Sequence, residues 1–261
     1  MIINPYSFGV AYDPDAQAFF TASGLTGATN LNAVNQLVLD LKAASIWTKM
    51  KAIYPMVGGT AVLHKWNLKN PLDTNAAFRL VFNGGWTHSS TGALPNGINA
   101  YADTFLIPNT AYTVATNAHL SFYSRTNVST NSIEIGTFDL VQAFQIQIRS
   151  SVTLNTRSII NNLTWHETAD ANSLGFYIAN RIGTTVKNFK NNTNLGTGTN
   201  TATAKTTTKI WIGAQSLNNL MNLPSTKQCA FSSIGDGLTD SEAANFYTAV
   251  QAFQTSLSRQ V

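Results

Sequence analysis

Apolar positions change their period along this chain, and the changes divide it into helical ends and a strand-rich middle. Asp13-Pro14-Asp15 is a helix start, with an aspartate N-cap, proline at the first helical position and an acid in the first turn. The helix it opens is short, carries Phe19 and Phe20, and stops near Gly24. A second helix is predicted from Asn30, with Leu31, Val34, Leu37, Val38 and Leu41 on one face, and Ile46, Trp47 and Met50 extend it toward Tyr54-Pro55. Gly58-Gly59 ends that pattern and Asn70-Pro71 marks a turn.

From Ala76 the period becomes two, or short apolar runs bounded by turn residues. Phe144, Ile146 and Ile148 alternate with Gln145, Gln147 and Arg149, giving one buried and one wet face. Strands are predicted at 77–82, 102–107, 119–124, 132–137, 143–149, 157–160, 175–180, 185–190, 209–214 and 228–234. Two Gly- or Thr-rich stretches interrupt them: Gly84 to Gly97, and Thr193 to Thr208, read as a loop or a weak edge hairpin. Strands joined by Asn, Gly and Thr turns argue for a sandwich of antiparallel sheets rather than βαβ units. At the C-terminal end Thr239 and Glu242 form a capping-box pair. Ala243, Phe246, Tyr247, Val250, Phe253 and Leu257 then make one apolar stripe, so this helix is expected to cover the sandwich.

Three segments carry a family resemblance. The hairpin Thr185–Asn192, the strand Lys209-Ile-Trp-Ile-Gly-Ala214 and the ending Phe231–Tyr247 resemble the closing strands and edge helix of concanavalin A-like, laminin G-like jelly rolls. The whole chain also resembles a group of uncharacterised phage virion proteins, through Trp47–Pro55, Asn83-Gly-Gly-Trp-Thr-His88 and Gly235–Val261. The resemblance implies a mainly β, concanavalin A-like jelly-roll sandwich spanning 73–261, preceded by a helical attachment segment over 1–72. It also implies a tail-fibre, baseplate or head-decoration component, often adhesive, on the exposed surface of a particle, with other virion proteins and further copies of itself as partners.

Composition narrows the chemistry. Only 11% of the 261 residues are charged, while Asn and Thr together make up roughly a quarter. The net charge of +4 comes from so few ionisable groups that nucleic acid is not an expected partner. Lys42, Lys49, Lys51, Lys65 and Lys69 are read as a solvated or neighbour-facing surface. There is no signal-like N-terminal stretch and no apolar run of membrane-spanning length, so neither secretion by its own signal nor a membrane partner is expected. A particle released by lysis fits that context. One cysteine, Cys229, excludes an internal disulfide. No metal or cofactor is expected: His64, His88, His119 and His166 lie far apart in sequence, and Asp103, Asp139 and Asp170 each stand alone near a strand end.

Catalysis lacks its parts. Of three glutamates, Glu242 belongs to the helix cap, and neither Glu134 nor Glu167 has a second acid two residues away. Trp165-His166-Glu167 sets an aromatic beside an acid–base pair, but neighbours on a strand point to opposite faces. A non-enzymatic protein is therefore expected, and a polysaccharide-cleaving enzyme is the weakest alternative. The candidate sugar-binding group is Trp86 with His88, Asn96, Asn99 and Tyr101, an aromatic face with amides beside it, against the bland reading that Trp86 pins a long loop. Tyr123 and Arg125 are read as a stacked surface pair with the same use. These residues support the alternative function, an adhesin recognising a host-surface glycan.

Overall fold

The computed structural model describes residues 11–261. Helix α1 (Pro14–Ser23) starts as its sequence dictates: the Asp13 carboxylate accepts from the Asp15 amide at 2.9 Å, and Gly24 ends the helix in the left-handed conformation. Helix α2 (Ala28–Ala43) buries Ala33, Val34, Leu37, Val38 and Leu41 along one stripe. It does not continue to Tyr54. Ser45 takes φ 59°, which breaks the helix; Trp47–Lys49 is a single 3₁₀ turn, and Met50–Tyr54 is strand β1. Its apolar run has no period because every residue except Lys51 is buried, as in a strand covered on both faces.

Among the described residues seventeen strands form two sheets, more than the ten expected. Sheet A has the order β13 (Thr193–Thr199), β12 (Thr185–Lys190), β11 (Gly175–Ile182), β6 (Asn117–Ser124), β17 (Cys229–Gly235), β4 (Gly92–Pro95) and β3 (Trp86–Ser89), with β1 also paired to β17. The Gly-rich stretch from residue 84 is thus largely the β3–β4 hairpin, and part of the Thr-rich stretch is edge strand β13. Sheet B runs β10 (His166–Ala169), β9 (Asn155–Asn162), β8 (Ala143–Gln147), β7 (Ile135–Phe138), β14 (Trp211–Ile212), β5 (Tyr101–Asp103) and β2 (Val81–Asn83). A hairpin of β15 (Gln215–Leu217) and β16 (Leu220–Asn222) joins it beside β7. Strand pairing is antiparallel except for the short β15–β7 contact, Ser216 against Thr137. The architecture is the mainly β, two-sheet jelly-roll sandwich that the sequence pattern predicts.

Two apolar layers hold it. Between the sheets, Leu120, Phe122, Tyr177 and Ile234 from sheet A meet Ile135, Phe144, Ile146, Ile160 and Ile212 from sheet B. On the other face of sheet A, Tyr123, Phe176, Ile178 and Phe231 meet α1, α2 and helix α5 (Asp240–Ser256). The boundary at residue 72 therefore does not divide the structure: β1 is a strand of sheet A, and α1 and α2 share a core with α5. Four of the five N-terminal lysines are ion-paired, Lys42 with Asp13, Lys49 with Glu242, Lys51 with Asp236 and Lys65 with Asp73, and Lys69 sits 4.4 Å over the Trp47 ring.

Helix α5 has both halves of its capping box, with Thr239 accepting from the Glu242 amide and the Glu242 carboxylate accepting from the Thr239 amide at 2.7 Å. Phe246 is fully buried among Phe176, Phe231 and His119, while Tyr247 is only half-buried and Leu257 lies just past the helix. Replacing Phe246 with alanine is expected to cost about 3–5 kcal/mol in urea melts; a loss under about 1 kcal/mol would show that the helix does not carry this core.

Stability is also expected to fall with acid. His119 lies on β6 under α5, bonded through Nδ1 to the Asp236 carbonyl at 2.6 Å and through Nε2 to the Ser233 hydroxyl at 3.1 Å. Burial lowers its pKa from 6.5 to about 4, so the folded state keeps it neutral where the unfolded chain takes a proton. The stabilisation is complete above the unfolded value and is lost progressively between 6.5 and about 4. The expected loss is on the order of 3 kcal/mol, read as a falling urea midpoint between those pH values; an unchanged midpoint would refute it.

Candidate functional site

Alternation along β8 turns Phe144 and Ile146 into the core and leaves Gln145 and Gln147 on the outer face of sheet B. Among the described residues no helix packs on that face as the helical layer packs on sheet A, although Gln145 and Gln147 are buried, Gln147 against Asn131 and Ser132. The β15–β16 hairpin folds beside it through Asn218 and Asn219, both at positive φ, as a two-residue hairpin turn requires. Between this hairpin and strands β7, β8 and β9 lies a depression of about 340 Å³. It is lined by Phe138, Ile159, Leu163, Leu217 and Leu223, by the amides of Gln145, Gln215 and Asn222, and by Trp165.

The amides form a directed row. Asn222 Nδ2 donates to Gln215 Oε1 at 2.8 Å, and Gln215 Nε2 donates to Gln145 Oε1 at 2.5 Å. Among the described residues Gln145 Nε2 and Asn222 Oδ1 have no protein partner, so the row ends in a free donor at one side and a free acceptor at the other. Trp165 is half-buried just before β10, and the Arg157 guanidinium lies 4.3 Å from its ring centre. That guanidinium is itself fixed, Nε to Gln147 Oε1 at 2.5 Å and Nη1 to Glu167 Oε1 at 3.1 Å. A cation on one face of the indole leaves the other face for a ligand. The site thus offers apolar wall, one rigid aromatic and unspent amide groups, within the size range of small-molecule sites.

The residues singled out from sequence fall elsewhere. Trp86 and His88 sit together on β3, with Trp86 Nε1 donating to the Asn83 carbonyl and both rings packed on Phe82. A Cβ on Gly213 would come within 2.6 Å of the Trp86 ring, so the indole is wedged against backbone. His88 meets His64, Nδ1 to Nδ1 at 2.9 Å; Nε2 of His64 accepts from the Gly59 amide, so His64 donates through Nδ1. Burial lowers the His64 pKa to about 3 and lowers that of His88 as well. Asn96 and Asn99 bond one another at 2.8 Å and tie their own turn to Gly85, and Tyr101 stacks on Trp211 at 4.0 Å. The five therefore share one region, in which Asn96 and Asn99 are exposed, Trp86, His88 and Tyr101 are half-buried, and several of their polar groups bond within the region itself.

Tyr123 and Arg125 are not a surface stack. Tyr123 is buried under α5, its hydroxyl donating to Gln251 Oε1 at 3.0 Å and accepting from the Val261 amide at 2.9 Å. Arg125 Nε donates to the Arg259 carbonyl at 2.7 Å. Both residues tie down the C-terminal segment.

The acids far apart in sequence find separate partners: Asp103 pairs with Lys209, Asp170 pairs with Lys190 and accepts from Thr156 and Tyr177, and Asp139 caps its own turn and accepts from Thr207. Glu134 is fully buried, bonded to Lys227 Nζ at 3.1 Å, to Ser132 and Ser225, and to the Ile148 amide at 2.6 Å. His166 and Glu167 diverge as strand neighbours must, His166 toward the Gly196 carbonyl and Glu167 toward Arg157. No group of three or more metal-ligating side chains occurs among the described residues, and no described helix is long and apolar enough to cross a membrane.

Fold and site together define a two-sheet β-sandwich with one face roofed by helices and the other open. Solved structures of similar fold exist. A sialidase from Trypanosoma rangeli, in complex with 2,3-difluorosialic acid, matches 83% of this chain and 38% of its own length at 10% identity, with a TM-score of 0.50. Domain 4 of AbnA, an extracellular arabinanase from Geobacillus stearothermophilus in complex with arabinotriose, matches 76% of this chain and 98% of its own at 13% identity, with a TM-score of 0.47. A botulinum neurotoxin serotype D binding domain matches 78% and 52% at 12% identity, with a TM-score of 0.49. Likeness at this level establishes the shared fold. No protein-family model matches the chain, and no curated protein sequence matches it.

Proposed function

We propose that this protein is a non-catalytic carbohydrate-binding module whose ligand lies in the depression on the outer face of sheet B. The observation that carries the reading is Trp165, a half-exposed indole held by Arg157 beside the Gln145–Gln215–Asn222 row. A sugar ring has an apolar C–H face and a rim of hydroxyls, each able to donate and accept. The indole suits the first, and a row ending in a free donor and a free acceptor suits the second. A catalytic role has less to stand on, since Glu134 is sealed by its partners and Glu167 is tied to Arg157. The test is binding to an immobilised panel of neutral and acidic oligosaccharides, with Trp165→Ala beside the wild type. The variant is expected to melt like the wild type and to lose at least about tenfold in affinity, equivalent to about 1.4 kcal/mol of stacking. Failure of every oligosaccharide to bind, or unchanged binding by the variant, would overturn the proposal.

A second reading, a component of a phage particle, rests on the sequence resemblance of Trp47–Pro55, Asn83–His88 and Gly235–Val261, three stretches that meet in the fold. Strand β1 pairs with β17 at the start of the last stretch, and Arg259 near its end donates to the Pro55 and Met56 carbonyls and to that of Ser90 beside the Asn83–His88 stretch. The expected result is labelling of intact particles at an exposed position by an antibody raised to the purified protein; absence of the protein from washed particles would exclude this context.

A further inference from the structure

We infer that the glycan this site takes is a neutral one, without sialic or uronic acid at the position that enters the depression; the inference rests on the carbohydrate-binding reading above. The ten residues that line the depression are Phe138, Ala143, Ile159, Leu163, Leu217 and Leu223 on the apolar side, and Gln145, Gln215, Asn222 and Trp165 on the polar and aromatic side. None of them ionises.

The charged groups nearest the lining are each held by protein partners. Arg157 stacks on Trp165 but gives Nη1 to Glu167 and Nε to Gln147. Lys227 and Glu134, carried near Leu223 by the bond from the Ile133 amide to the Leu223 carbonyl, are buried against one another. Asp139, next to Phe138, holds its own turn and Thr207. Arg149 lies past the end of β8 and turns its Nε to the Asp170 carbonyl at 3.4 Å. A carboxylate entering the depression would leave water and find no cation among the lining residues, a desolvation cost that amide donors offset only in part. Hydroxyls meet no such penalty, since the row presents a donor and an acceptor where a diol has both.

Glu167 sets this preference. Its carboxylate takes Arg157 Nη1 at 3.1 Å and the Asn155 amide at 3.3 Å, on the half-exposed side of the pair. Replacing it with glutamine keeps the shape and removes the charge that occupies Arg157. The guanidinium, still beside Trp165, would then be free to meet an acidic sugar.

The experiment compares wild type, Glu167→Gln and Trp165→Ala on matched oligosaccharides with and without a terminal sialic or uronic acid, at low and high salt. Wild type is expected to prefer neutral ligands by about tenfold or more, with affinity changing less than about twofold with salt because no net charge is recognised. Glu167→Gln is expected to gain binding to the acidic members, in a salt-sensitive way. Preferential binding of acidic ligands by the wild type, abolished in Trp165→Ala, would overturn this inference and leave the site standing. An unaltered neutral preference in Glu167→Gln would remove Glu167 from the account. Binding of either class that Trp165→Ala leaves intact, or no binding at all, would overturn the carbohydrate reading and the inference with it.

Discussion

Sheet A has to bury both of its faces, and the rest of the molecule is arranged around that demand. Strands β6, β11 and β17 are buried along nearly their whole length, Phe122, Tyr177 and Ile234 to one side and Tyr123, Phe176 and Phe231 to the other. The first set is met by sheet B. The second would be left in water without α1, α2 and α5, so the helices are a third layer of the fold. Arg259 fastens this layer. Its guanidinium is buried and donates to the carbonyls of Pro55, Met56 and Ala230, tying the residues after β1 and those of β17 to the segment that leaves α5. Burial lowers its pKa to about 9, which leaves it charged at neutral pH. A charge so placed is held by backbone carbonyls and by Gln254 Oε1, which accepts from its Nε at 2.6 Å, and losing it would take a donor from each of those carbonyls.

With the helices committed to sheet A, the outer face of sheet B is the open sheet surface. Its polar groups are largely amides, with the Arg157–Glu167 ion pair beside them. Gln145, Gln147 and Gln215 are buried rather than solvated, and with Asn222 they meet most of their hydrogen bonds through protein partners. The low charged fraction, 11%, has the same origin here: side-chain amides and hydroxyls replace ions, and most of the acids that remain are spent on partners inside the fold. Recognition on such a surface works through short-range hydrogen bonds and contact rather than long-range steering.

The sequence was legible where one residue's neighbours along the chain determine its fate. The capping box at Thr239, the stop at Gly24 and the strand over Thr185–Lys190 depend on local spacing, and each was found. Strand β1 was misread as helix because a doubly buried strand has no period, and its true break, Ser45 at positive φ, is not a glycine. The β15–β16 hairpin left a signal that went unused, Asn218-Asn219 between apolar residues. The depression itself was not legible. Trp165 was noticed, but its companions come from β8, β15 and β16, and only sheet pairing brings Gln145, Gln215 and Asn222 within bonding distance. The group legible from sequence, Trp86 to Tyr101, is close in sequence and close in space because the β3–β4 hairpin and the turn after it hold it together.

Trp86 and Trp165 differ in what already holds their rings. Both indoles are half-buried. Trp86 has its Nε1 bonded, Phe82 and His88 against its ring, and the backbone at Gly213 close enough to exclude a methyl group. A ligand could reach it only by displacing contacts that hold β3 in place. Trp165 has a cation on one face and an open depression beside it, and Arg157 behind it is anchored by Glu167 and Gln147 rather than by the ligand. The ring is thus immobilised before anything binds, so a ligand bears little of the entropy cost of ordering it.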